Sequence, residues 1–133
     1  MTQSLPERLA AYQPGQWFHA HTIDEMEAFY RSRLPAIRET ARALGYGIGQ
    51  HGSMRRDMDL IAVPWREEAA GRDELAHAIA MAACGITRSG PYQWEPKPRG
   101  RFAVSIPICW EEFYDMVSAG HIDLSVVDPL AAQ

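Results

Sequence analysis

Residues 46–64 read YGIGQHGSMRRDMDLIAVP, and this stretch decides how the rest of the chain is interpreted. Residues 46–50 predict a short, glycine-rich strand, and the apolar run at 58–63 predicts a second strand that ends at Pro64. The connection at 51–56 is too short for a helix of two turns, since each turn takes about 3.6 residues. We therefore expect the two strands to form a hairpin.

Helical patterns lie on both sides of this hairpin. Thr22 and Glu25 form a capping-box motif, which predicts that a helix begins there. Gly45 fits the C-terminal cap of the same helical region. Pro35 cannot donate a backbone hydrogen bond, so we expect it to kink or divide that region. Apolar spacing predicts a further helix near residues 73–84.

Strand patterns return in the second half of the chain. Runs at 92–95 and 101–108 flank the turn-rich segment 96–100 and predict another hairpin. A short helix is expected within 109–120, and a last strand over 122–127. The predicted fold class is α/β (α+β), with one mixed sheet of about four to five strands and two main helices packed on it.

Length and composition predict one soluble domain. A chain of 133 residues has the size of a single domain, and we expect an irregular arm over 1–21 and one domain over 22–133. Hydrophobic residues make up 47% and charged residues 23%, as in soluble globular proteins. The formal net charge of −4 disfavours nucleic acid as a partner, because nucleic-acid binders usually carry a basic surplus.

The compartment follows from two further features of the sequence. Apolar runs are far shorter than the roughly 20 residues that span a bilayer, so a membrane is not an expected partner. Cys84 and Cys109 lie in apolar surroundings without CxxC spacing, which is typical of free thiols in a reducing compartment. We expect a cytoplasmic protein.

Aspartates mark the most informative site. Asp57 and Asp59 are two residues apart in a strand, so they point to the same face. Carboxylates held side by side repel each other unless a cation neutralises them, and a divalent ion, Mg²⁺ or Mn²⁺, commonly does so. Asp123 lies in another apolar strand and would join them if the two strands are neighbours. The alternative is that the aspartates are solvated or pair with Arg55 and Arg56.

Residues around the aspartates add to this site. Gly52 and Ser53 offer backbone N–H groups and a hydroxyl, which suit a phosphate. His51 and His121 are candidate metal ligands or general bases, although such histidines more often hydrogen-bond a carboxylate. Trp65 follows the aspartate-bearing strand, and we expect it to pack in the core rather than to stack on a base.

The order Gly52-Ser53, Asp57-x-Asp59 and then Asp123 resembles the signature of the nucleotidyltransferase superfamily, the polymerase-β-like proteins. The resemblance implies a nucleotidyltransferase-like fold and a nucleotide or phosphorylated small molecule as ligand. It also implies that Gly52, Ser53 and Arg56 contact phosphate. The three aspartates would hold metal and position the attacking hydroxyl, and an active protein would transfer a nucleotidyl group.

The chain also resembles small phage and prophage proteins, which share the run at 51–65 and the ending at 122–126. This likeness covers most of the chain from about Thr22. It leaves two alternatives to a transferase. One is an inactive binding or inhibitor module that docks on a host protein. The other is a metal-dependent hydrolase that uses the same carboxylates with His51 or His121.

Overall fold

The computed structural model describes residues 22–84, 92–108 and 120–127. The helices are α1 (Ile23–Ala43) and α2 (Arg72–Cys84), and the strands are β1 (Tyr46–His51), β2 (Asp57–Pro64), β3 (Glu95–Lys97), β4 (Arg101–Pro107) and β5 (His121–Val127). The α+β class is confirmed, since the described residues form two helices and a five-stranded mixed sheet. The predicted arm at 1–21 and nearly all of the predicted helix within 109–120 lie outside the described residues.

The strands are ordered β1-β2-β5-β4-β3 across the sheet. The central pair β2 and β5 is parallel, and every other neighbouring pair is antiparallel. The predicted hairpin of β1 and β2 is confirmed, with Tyr46 opposite Pro64 and His51 opposite Asp59. The second hairpin, β3 and β4, is also confirmed, but β3 contains Pro96 and Lys97, which the sequence assigned to the turn. An edge strand tolerates proline because one side of its backbone needs no partner.

One face of the central strands forms the core. Alternate residues of β2 and β5 are fully buried: Met58, Leu60, Ala62, Ile122, Leu124 and Val126. Both helices contribute to the same cluster, including Ile37 of α1 and Leu75 of α2. The period of two in each strand therefore separates an apolar face from a second face that carries Asp57 and Asp59.

Helix α1 begins and ends as the sequence predicts. Glu25 N donates to Thr22 Oγ1 over 3.2 Å, and Thr22 N donates to Glu25 Oε1 over 2.9 Å. Gly45 follows the last turn with a φ of 95° and donates to the Arg42 carbonyl, a conformation that favours glycine.

The expectation that Pro35 divides the helix is wrong, because α1 is one element that contains Pro35. Pro35 lies on the exposed side of the helix. Water can therefore donate a hydrogen bond to the Arg31 carbonyl, which has no N–H partner at position 35. The buried side continues past it as an unbroken series: Met26, Tyr30, Leu34, Ile37 and Ala41. Burial of this series outweighs the local cost of one proline.

The prediction that Trp65 packs in the core is also wrong, because 56% of this residue is exposed. Strand β2 ends at Pro64, so Trp65 lies beyond the apolar face of the sheet. The Arg66 guanidinium lies over its ring, 5.1 Å from the centroid. Within the described ranges, neither helix is both long and apolar enough to cross a bilayer.

Candidate functional site

Pairing of β2 with β5 brings the predicted carboxylates together. In the parallel register, Asp57 lies opposite His121 and Asp59 lies opposite Asp123. All four belong to the face of the sheet that alternates with the buried core residues. The condition stated for convergence, that the two strands are neighbours, is therefore met.

His121 lies between two of the carboxylates. Its Nδ1 is 3.3 Å from Asp57 Oδ1, and its Nε2 is 3.4 Å from Asp123 Oδ1. The imidazole therefore has one ring nitrogen near each of the two carboxylates.

Asp57, His121 and Asp123 have the composition of a metal site. One ligand atom from each lies within 4.8 Å of the other two, and all three residues are partly buried. Ligand atoms bound to one ion with bonds of about 2.1 Å lie about 3 to 4.2 Å apart, so the three atoms would have to move closer together to hold such an ion. Two carboxylate oxygens and one imidazole nitrogen suit Mn²⁺ or Zn²⁺.

The surroundings of Asp123 disfavour the charged form of its carboxyl. Burial raises the pKa of the Asp123 carboxyl above its ordinary value, while the neighbouring His121 acts in the opposite direction. The negative charges of Asp57 and Asp59, and a hydrogen bond with Asp59, raise that pKa further. A divalent cation at this point would relieve the repulsion and favour the carboxylate form.

The turn between β1 and β2 lies against Asp59. Gly52 has a φ of 75°, and a Cβ added there would be 2.8 Å from Asp59 Oδ2. Only glycine therefore allows this close approach without strain. Ser53 Oγ accepts a hydrogen bond from the Arg55 backbone N–H over 3.3 Å, which orders the turn beside the carboxylate.

The two arginines of the turn have different surroundings. Arg55 forms ion pairs with Asp24 and Glu27 of α1, at 3.3 and 3.1 Å. Arg56 has an exposed side chain, and among the described residues no carboxylate pairs with it. Among the described residues, neither Arg55 nor Arg56 therefore pairs with the aspartates of the site.

The predicted histidines also differ. His121 belongs to the close group, whereas His51 is exposed at the end of β1, opposite Asp59, and is not part of that group. His51 lies on the same side of the sheet as Asp59, at the rim of the site.

Two residues of the site were not predicted from the sequence. The Tyr30 hydroxyl, buried at the base of the site, donates to the Arg56 carbonyl and accepts from the His121 backbone N–H. Burial raises the pKa of Tyr30 far above its usual value, so the hydroxyl stays a donor. Gly120 has a φ of 125°, and a Cβ there would collide with the Tyr30 hydroxyl oxygen. The helical spacing of Tyr30 marks it only as a core residue.

Comparisons of this chain with protein-family models, with curated proteins and with solved structures returned no match. The case for a function therefore depends on the geometry and charge of these residues.

Proposed function

We propose that this protein is a divalent-metal-dependent enzyme of the nucleotidyltransferase-like type, acting on a nucleotide or another phosphorylated small molecule. The observation that carries the proposal is the group of ligand atoms from Asp57, His121 and Asp123, which lie within 4.8 Å of one another on adjacent parallel strands. Asp59 lies beside them, opposite Asp123. Clustered carboxylates are the usual protein ligands of ions that act on phosphates.

Each residue has a role that its position supports. Asp57, Asp123 and His121 would hold the ion, which supplies charge stabilisation for the transferring phosphoryl group. The turn at Gly52 and Ser53 offers backbone N–H groups beside the carboxylates for phosphate oxygens.

Asp59 and Arg56 would have the two remaining roles, which are proton transfer and stabilisation of the negative charge on the phosphate groups. Asp59 would accept the proton of the attacking hydroxyl. The hydroxyl oxygen then bonds to the α-phosphorus, and the bond to the pyrophosphate oxygen breaks. Pyrophosphate leaves with the electron pair of that bond. Arg56 is exposed and next to Asp57 in the chain, so its guanidinium could pair with the negatively charged oxygens of the leaving pyrophosphate.

An imidazole ligand bears on which ion is used. Mg²⁺ prefers oxygen ligands, whereas imidazole nitrogen binds Mn²⁺ and later transition ions well. With His121 in the group, we expect Mn²⁺ to bind more tightly than Mg²⁺.

Thermal unfolding with and without Mn²⁺, followed by a panel of nucleoside triphosphates, tests the proposal. Mn²⁺ at about 100 times its dissociation constant should stabilise the wild type by about 2.7 kcal/mol, which is several degrees in Tm for a domain of this size. Asp57→Asn should abolish that shift because it removes a ligand. Asp59→Asn should lower pyrophosphate release by about 10²-fold or more, since it removes the proton acceptor.

The control variant is Glu39→Gln, which removes an exposed carboxylate of α1 outside the site. It should keep both the Mn²⁺ shift and the activity. An equal Mn²⁺ shift in wild type and in Asp57→Asn would refute the metal site. A normal shift without pyrophosphate release from any triphosphate would refute the transferase.

A metal-dependent phosphoester hydrolase is the second candidate. Two observations favour it: the imidazole of His121 lies inside the carboxylate group, and the connection at 52–56 contains no helix to direct its N-terminus at a triphosphate. In that case water replaces the acceptor hydroxyl. Release of a monoester or inorganic phosphate without any added acceptor, lost in His121→Gln, would identify the hydrolase.

A further inference from the structure

We propose that the free edge of β1 and the groove between it and α1 bind an extended acidic peptide segment of another protein, which adds to the sheet as a further strand. Within the described sheet, β1 is an edge strand and pairs only with β2. An exposed strand edge is a template for an incoming chain. The groove lies beside the Pro64 end of the hairpin, whereas the carboxylates are at the Asp57 end of β2.

The hydrogen-bond register shows which backbone groups are directed outward. Trp65 N donates to the Gly45 carbonyl over 2.8 Å, so this pair is of the hydrogen-bonded type. Bonded and non-bonded pairs alternate in an antiparallel ladder. Gly47 and Gly49 therefore face β2, and Ile48 and Gln50 direct their N–H and C=O groups to the free side.

The groove beside this edge is basic. A cavity of about 380 Å³ is lined by Arg38, Arg42, Tyr46, Gly47, Ile48 and Trp65. Arg38 and Arg42 are one helical turn apart on α1, and both are exposed. In the part of the chain that the structure describes, neither arginine forms an ion pair with a carboxylate. Acidic side chains of an added strand would supply those partners.

The charge also argues against a second copy of this chain as the occupant. Pairing of β1 with its own counterpart would bring two sets of Arg38 and Arg42 to one interface. Like charges held that close repel, and none of the described residues that line the cavity is a carboxylate that could offset them. An acidic segment of a different protein meets the groove without that penalty.

The other face of the edge is apolar. Val63 is 46% exposed, and Gly47 and Gly49 opposite β2 carry no side chain. Side chains of a strand alternate between its two faces. The bound segment should therefore alternate acidic residues, on the side of α1, with apolar residues on the opposite side.

The test uses a synthetic peptide that alternates glutamate with valine, and a counterpart with lysine in place of glutamate. Amide hydrogen exchange by NMR of the full chain reports the contact. The glutamate peptide should slow exchange at Ile48 and Gln50 and leave Gly47 and Gly49 unchanged. The double variant Arg38→Glu/Arg42→Glu should weaken binding of this peptide at least about tenfold and favour the lysine peptide.

Arg33→Glu is the matched control, a charge reversal on the same helix outside the cavity lining, and it should bind like wild type. Asp57→Asn should also bind like wild type, which separates this test from that of the metal site. A peptide N-methylated at alternate residues extends the test without altering the protein. Methylation of one alternate set should abolish binding, and methylation of the other set should leave it intact.

Three results would overturn the proposal. The first is that the amides of Ile48 and Gln50 are already protected from exchange in the protein without peptide. The second is that the glutamate peptide binds no better than the lysine peptide, and the third is that both N-methylated peptides bind as well as the unmethylated peptide.

Discussion

Asp123 is a proposed metal ligand, but its partial burial disfavours the carboxylate form that would bind the ion. Burial raises the pKa of its carboxyl, so the native state binds a proton more tightly than the unfolded chain does. Between the unfolded pKa of about 3.9 and the raised native pKa, the native state holds more protons. The free energy of unfolding therefore falls as the pH rises through this window, and the loss is complete above it.

Asp123→Asn should remove that loss. In a chelating buffer at pH 7 the variant should have a Tm equal to or above that of the wild type. The advantage should vanish below about pH 3.9, where the wild-type carboxyl is protonated in both states. Thermal unfolding across pH measures this, with Glu39→Gln as the control outside the site. A variant that is less stable than wild type at pH 7 without metal would contradict the account.

At the scale of the element, α1 shows how tertiary packing overrides a local rule. Pro35 removes one backbone donor from the helix, yet the helix continues because its other side buries a series of apolar residues against the sheet. Arg31, four residues earlier, is left with a carbonyl that the helix cannot satisfy.

Pro35→Ala should therefore stabilise the protein. Alanine restores the backbone N–H at this exposed helix position. The free energy of unfolding should rise by about 1–2 kcal/mol, a net value that allows for the larger conformational entropy of the unfolded chain without proline. Urea denaturation should show a higher midpoint with an unchanged slope. Ala36→Gly, at the next exposed position, should change stability in the opposite direction by about 1 kcal/mol. A lower midpoint for Pro35→Ala would show that the proline ring makes contacts that stabilise the protein.

At the scale of the whole molecule, Tyr30 connects the helical layer to the site. Its hydroxyl, which comes from α1, joins the carbonyl of Arg56 before β2 to the backbone N–H of His121 in β5. Gly120 leaves room for that hydroxyl. The separation of the two aspartate-bearing strands at this end therefore depends on the position of the helix.

Tyr30→Phe should cost about 1–3 kcal/mol, because it leaves part-buried backbone groups of Arg56 and His121 without their partner. It should also reduce the Mn²⁺-dependent rise in Tm, since the two strands lose their common contact. Tyr46→Phe is a matched control, because its hydroxyl likewise donates to a backbone carbonyl, that of Ala70, away from the site. It should be destabilised to a similar degree and keep the full Mn²⁺ shift. An unchanged Mn²⁺ shift in Tyr30→Phe would limit Tyr30 to a structural role.

Local patterns were enough to predict part of this molecule. The capping box at Thr22 and the hairpin of β1 and β2 depend on residues close in the chain, and both are confirmed. The shared face of Asp57 and Asp59 follows from the two-residue period of a strand. Neighbouring residues encode these features through local hydrogen bonds and backbone geometry, so the sequence by itself determined them.

Only the tertiary structure decided the rest. Asp59 meets Asp123 because β5 inserts between β2 and β4, an order that depends on burying apolar faces of strands far apart in the chain. Tyr30 reaches Arg56 and Gly120 for the same reason, and Trp65 is exposed because the apolar face ends before it. Such contacts are set by the packing of the whole core, whose energy is spread over many residues and appears in no local pattern.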